Sequence, residues 1–269
     1  MISKFLAIHG VPRSGTSWAG EVVNSSPETI YKFQPLFSYA HKDKLNEKST
    51  REEIRSFFNE ICVTEDAFTS QKEKRESGLL PSFRKTETKL ICYKEVRYHN
   101  ILENMISREN GLKLCLILRN PFSVINSWLK APREFRGDLG WRATEEWRFA
   151  EKKNLGRKEE FHGFEKWKEA SKIFVKLKQE YPDRVFLLKY RNMVEDPEKV
   201  FRDLFDFLEL EFTDQSKEFI QNSTNSHNGD SYSIFRSGQT DDAWKMSLPD
   251  SIREEMESEL ESSEFLEFF

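Results

Sequence analysis

Residues 10–18 read Gly-Val-Pro-Arg-Ser-Gly-Thr-Ser-Trp, a stretch suited to holding a phosphate group. Gly10 and Gly15 have the G-x-x-x-x-G spacing of a Walker A loop, and Ser17 stands where its Ser/Thr would stand. Thr16 occupies the place of the Walker lysine, and the loop's fixed cation is Arg13 instead. Backbone N–H groups in such a loop, with the N-terminus of a following helix, attract an anion. A cradle without the lysine meant for a β/γ-phosphate points to a nucleotide other than an ordinary triphosphate.

Three further groups have chemistry at a useful spacing. Arg119-Asn120-Pro121 follows the apolar run Leu112–Leu118, and Ser127 comes about two helical turns after it. An arginine at a strand end and a hydroxyl on the next helix can grip a second phosphate, because guanidinium matches phosphate oxygens. An arginine capping a sheet beside an ordinary helix serine is the plain alternative. Phe235-Arg236-Ser237-Gly238, with Asp242-Ala243-Trp244-Lys245 after it, can close on the same phosphate through Arg236 and the Gly238 backbone. Tyr190, at the end of Leu187-Leu188-Lys189, can pack on a purine or be an ordinary half-buried tyrosine.

The elements that must position these residues alternate between strand and helix. Lys4–His9, Lys89–Tyr93, Leu112–Leu118 and Arg184–Leu188 read as strands, with a weaker one at Thr29–Phe33. Phe164, Trp167, Ile173, Phe174 and Leu177 share a helix face that ends before Pro182, and Val200, Leu204, Phe207 and Leu208 do so after Asp196-Pro197. This alternation implies an α/β, P-loop-like three-layer fold with a mainly parallel central sheet flanked by helices. Sites in such sheets lie at the carboxyl ends of strands, where both phosphate-like motifs fall. One domain over 1–269 is expected, with insertions at 41–88 and 131–162 that recognise the second substrate. The charged stretch 71–89 reads as a mobile loop.

Bulk properties narrow the function. A net charge of −4 argues against general nucleic-acid binding. The longest apolar runs are too short to span a bilayer, and a strand beginning near Lys4 leaves no room for a signal peptide. Cys62, Cys92 and Cys115 have no metal-ligand spacing and suit a reducing, cytoplasmic setting. No metal site is expected, and His9 reads as a core residue. Trp141, Trp147 and Trp167 read as core rather than as sugar platforms. Oligomeric state is not legible.

In combination these motifs resemble the PAPS-dependent sulfotransferases, which take a sulfonate from 3′-phosphoadenosine-5′-phosphosulfate. The P-[KR]-S-G-T-[ST]-W loop of that family matches Pro12-Arg13-Ser14-Gly15-Thr16-Ser17-Trp18, and its R-[ND]-P element with a serine eight residues on matches Arg119 and Ser127. Tyr190 and Met193 echo its Y-E-D-M strand end, and Arg236, Gly238 and Trp244-Lys245 its R-K-G…D-W-K segment. Lys94-Glu95-Val96-Arg97 is similar to a K-E-V-R stretch of carbohydrate sulfotransferases. The sequence departs from family patterns at Ser237, which replaces a basic residue, and at Phe33-Gln34-Pro35, which lacks the acid of F-E-P.

The resemblance implies PAPS as co-substrate, PAP as product, no metal, and a small-molecule or carbohydrate acceptor. Charge developing on the leaving phosphate oxygen falls to Arg13 and the loop N–H groups. Lys94 is expected to hold the sulfonate. Glu95 is the expected base for the acceptor proton, with His99 and His41 in reserve. A P-loop kinase or NTPase and a catalytically silent nucleotide-binding module remain the rival readings.

Overall fold

Every residue of Phe5–His9 is buried, which suits a strand enclosed on both faces of a parallel sheet. The computed structural model of the chain describes residues 4–226, 232–235 and 240–260. It contains the strands β1 (Lys4–His9), β2 (Thr29–Phe33), β3 (Leu90–Glu95), β4 (Leu112–Leu118) and β5 (Val185–Lys189). They form a single sheet in the order β2-β3-β1-β4-β5, and every neighbouring pair is parallel. The expected strands are all present, with ends shifted by a residue or two.

The helices are α1 (Thr16–Asn24), α2 (Arg51–Val63), α3 (Ala67–Ser70), α4 (Lys72–Glu76), α5 (Leu102–Arg108), α6 (Pro121–Leu129) and α7 (Ala143–Glu146). They continue as α8 (Glu151–Asn154), α9 (Phe164–Glu180), α10 (Tyr190–Glu195), α11 (Pro197–Leu208), α12 (Asp214–Asn225) and α13 (Asp250–Leu260). Their starts follow from local chemistry. Asn120 accepts the N–H groups of Phe122 and Ser123, and Pro121 takes the first helical position of α6. Asp196 and Pro197 do the same for α11. Thr50 and Glu53 close a capping box on α2.

The pleat of the sheet divides the core in two. Phe5, Ala7, Ile91, Tyr93, Leu114 and Leu116 pack on one face against α2, α5 and α9. Leu6, Ile8, Cys92, Cys115 and Ile117 pack on the other against α1, α11 and α12. Adjacent residues of a strand point to opposite faces, so this division decides which functional side chains can meet. His9 is fully buried, as expected. Trp147 and Trp167 are core residues, whereas Trp141 is partly exposed and leans edge-on against Phe135.

Residues 71–89 are more tightly held than a mobile loop. Lys85 Nζ donates to the carbonyls of Asn24, Ser26 and Thr29 and to Asn24 Oδ1 at 2.5–3.1 Å. Its ammonium is pushed down to about 8 by burial. Arg75 pairs with Glu21 of α1 at 2.7 Å. These contacts tie the segment to the phosphate-loop side of the sheet.

Candidate active site

The loop 10–15 leaves β1 at its carboxyl end and delivers the chain into α1. Gly15 supplies the turn, with φ 84°. A Cβ there would come within 2.7 Å of Met193 Cε and 2.8 Å of Tyr190 Cε2, so only glycine allows α10 to approach the loop. Arg13 also has positive φ, 73°, which for an arginine is a strained backbone held by its surroundings. The first turn of α1 carries no acidic residue that would repel an anion. Ser14 Oγ is buried beneath the loop with no partner among the described residues.

Arg13 reaches back across the loop. Its Nε donates to Ser127 Oγ at 3.1 Å, which joins the first and second motifs directly. Arg119, at the end of β4, donates from Nη1 to the Arg13 carbonyl at 2.5 Å and lies 4.0 Å above the Tyr190 ring. Trp18 Nε1 donates to Ser223 Oγ of α12 at 2.9 Å. Pro12, Arg13, Gly15, Thr16, Ser17, Trp18, Arg119, Ser127 and Tyr190 all line one cavity of about 580 Å³. Arg236 and Gly238 lie outside the described residues.

The rest of the cavity wall has a different character. Phe33 and Phe37 each meet Phe68 edge to face, with centroids 5.4 Å apart. Lys94 Nζ lies 4.2 Å from the Phe33 ring centre and Arg97 lies 3.9 Å from that of Phe37. Glu134 Oε1 pairs with Arg13 Nη1 at 3.4 Å, and Glu134 Oε2 lies 3.6 Å from His162 Nε2. His162 Nδ1 lies 3.6 Å from Glu160, which pairs with Arg97 at 2.9 Å. Burial pushes the Glu134 carboxyl up, but His162 and Arg13 outweigh it and hold the group below the usual carboxylate range. Glu134 is therefore an ionised carboxylate on the cavity wall, beside the cation of the phosphate loop.

The family model described as "Sulfotransferase domain" matches residues 4–262. The chain belongs to the sulfotransferase family. Among curated proteins nothing matches it. Mouse sulfotransferase SULT7A1, solved with PAP, has 15% identity and a TM-score of 0.56, with 95% of this chain and 82% of the mouse chain covered. The sulfotransferase from Alicyclobacillus acidocaldarius has 16% identity and a TM-score of 0.52, with 96% and 91% covered. A retinol dehydratase solved with androsterone and PAP has 15% identity and a TM-score of 0.53, with 96% and 80% covered. At these identities the structures share the fold.

Sulfotransferases of this family use PAPS as donor and release PAP. The residues of this sulfotransferase fit such a molecule. Gly15 opens the cradle, and Arg119 keeps Nη2 without a partner among the described residues. The described residues contain no group of three or more His, Cys, Asp or Glu side chains able to hold a metal, and no helix among them is long and apolar enough to cross a membrane.

Four expected site residues do not reach the cavity. Lys94 lines it, but Glu95, the next residue of β3, points through the sheet to the opposite face. There Glu95 is fully buried and accepts the Leu36 N–H at 2.8 Å. Burial pushes its carboxyl up and the Lys94 ammonium down, and each partly offsets the other. His99 is buried on that same face, 3.0 Å from His9 Nδ1 and packed on Phe161 and Phe174. Ser14 lies under the loop. His41 also stands off the cavity, bonded to Thr64 at 3.0 Å. Glu134 and His162 are the residues that motif reading missed. They come from the irregular segment between α6 and α9, whose path only the fold reveals.

Proposed function

We propose that this sulfotransferase moves the sulfonate of PAPS onto a hydroxyl of a small-molecule acceptor, that the acceptor is a carbohydrate, and that Glu134 takes the hydroxyl proton. The observation that carries the reading is the Arg13–Glu134 pair, which sets a cation for a leaving phosphate beside a carboxylate able to accept a proton. PAPS supplies a sulfonate already activated by a phosphate leaving group. Arg13 and the loop N–H groups stabilise charge on that phosphate, and Lys94 holds sulfonate oxygens from the neighbouring wall. Arg119, Ser127 and Tyr190 hold the 3′-phosphate and purine end. His162 Nε2 stands 3.6 Å from Glu134 Oε2, beside the base. The wall of Phe33, Phe37 and Phe68 suits the flat C–H face of a sugar ring, and Lys94 to Arg97 is the stretch similar to carbohydrate sulfotransferases. The three free cysteines suit a reducing, cytoplasmic site of action.

The test is transfer of labelled sulfonate from PAPS to a panel of sugars, phenols, alcohols and amines. Label on sugar hydroxyls, lost in Glu134→Gln, is the expected result. Transfer confined to phenols or amines would overturn the carbohydrate assignment. Magnesium-dependent ATP turnover in place of transfer would overturn the reaction itself.

A further inference from the structure

We propose that Asp241 is a positioning residue for the nucleotide site: it fixes the Arg119 guanidinium from behind, so that Nη2 is presented to the 3′-phosphate. This rests on the assignment of Arg119 to that phosphate. Arg119 Nε donates to Asp241 Oδ1 at 2.7 Å, and the two side chains are only 12% and 10% exposed. The Arg13 carbonyl takes Nη1 and the Tyr190 ring centre lies 4.0 Å from the guanidinium carbon, so three of the guanidinium's sides are occupied. Nη2 has no partner among the described residues, and Arg119 faces the large cavity.

Asp241 does not line that cavity. It lines a separate, small depression with Asn120, Tyr190 and Arg191. Its carboxylate therefore leaves the ligand's space open while holding the arginine in one rotamer. The loop carrying it is itself braced. Ser123 Oγ donates to the Asp241 carbonyl at 2.7 Å, and Trp244 stacks on Phe122 at 4.5 Å. Asp241, the residue just before the Asp-Ala-Trp-Lys stretch, thus serves the site through Arg119. Holding a long, freely rotating side chain in its binding geometry removes an ordering cost that the ligand would otherwise meet.

The test is calorimetric titration of PAP and of adenosine 5′-monophosphate, which lacks the 3′-phosphate. The wild type is expected to prefer PAP strongly. Asp241→Ala should weaken PAP about tenfold, part of the worth of a charged hydrogen bond, and leave the monophosphate unchanged. Asp241→Asn, which keeps an acceptor for Nε–H, should recover most of the loss and so separates positioning from misfolding. In an Arg119→Ala background, Asp241→Ala should have no further effect. PAP binding as tight or tighter in Asp241→Ala would overturn the proposal and make Asp241 a competitor for the arginine. Equal wild-type affinity for the two nucleotides would remove the 3′-phosphate assignment, and the role of Asp241 with it.

Discussion

Arg13 and Glu134 are joined by an ion pair of 3.4 Å, although one belongs to the phosphate loop and the other to the segment after α6. Arg13 also holds Ser127. A single guanidinium of the 10–15 loop therefore touches both Ser127 of α6 and Glu134 of the segment after it. Any change at this residue is felt by both.

Arg13→Ala should lower kcat by about 10²–10³, the usual loss when a donor aimed at developing charge is removed. PAP affinity should fall much less, because the loop N–H groups and Arg119 remain. Stopped-time kinetics with a parallel titration of PAP separates the two. Nearly normal kcat with poor affinity would reduce Arg13 to a binding residue.

Glu134→Gln should lower kcat by about 10²–10⁴ and spare PAP binding, since the amide keeps the shape but has no basicity. Glu95→Gln should transfer sulfonate at close to the wild-type rate, because Glu95 lies on the far face of the sheet. The reverse pattern of rates would return the base to β3.

Burial lowers the Lys94 ammonium from its ordinary 10.5, with Glu95 opposing the shift. Its charge is complete at low pH and is lost as pH rises through that lowered value. The value of kcat/KM for PAPS should therefore fall on the alkaline side before pH 10.5 is reached. Lys94→Arg keeps its charge throughout and should flatten the fall. The same alkaline limb in both proteins would show that another group titrates.

His9 and His99 touch each other in the core. Burial brings His9 down from 6.5 to about 3, and holds His99 well below 6.5. In this range the unfolded chain binds protons that the native state does not. Stability is complete above pH 6.5 and is lost as pH falls toward 3. Each histidine contributes about 1.4 kcal/mol per pH unit well inside that window. Urea melts at stepped pH should show a shallower acid limb in His9→Gln. Unchanged steepness would place the acid sensitivity in the carboxylates alone.

The strands were legible because fully buried parallel strands are short apolar runs, and the two phosphate motifs because each is local in sequence. Lys94 and Glu95 show where local reading stops. A motif names both residues, but the pleat sends only one of them to the cavity. Their alternation with Tyr93 and Cys92 was the available signal, since Tyr93 and Cys92 belong to opposite halves of the core. Glu134 and His162 carried no signal of that kind. They lie 28 residues apart (162 minus 134) and 121 or more from Arg13 in an irregular segment. Only the packing of that segment on α6 and α9 makes them neighbours of the loop.

The strand order also has a consequence for how the protein is made. β1 precedes both of its ladder partners in the chain, which begin at Leu90 and Leu112. An unpaired strand and its loop have nothing to define their shape. The phosphate cradle at the end of β1 is thus assembled only after β4 has been synthesised. Until then the apolar β1 segment waits in the nascent chain without the strands that flank it in the sheet.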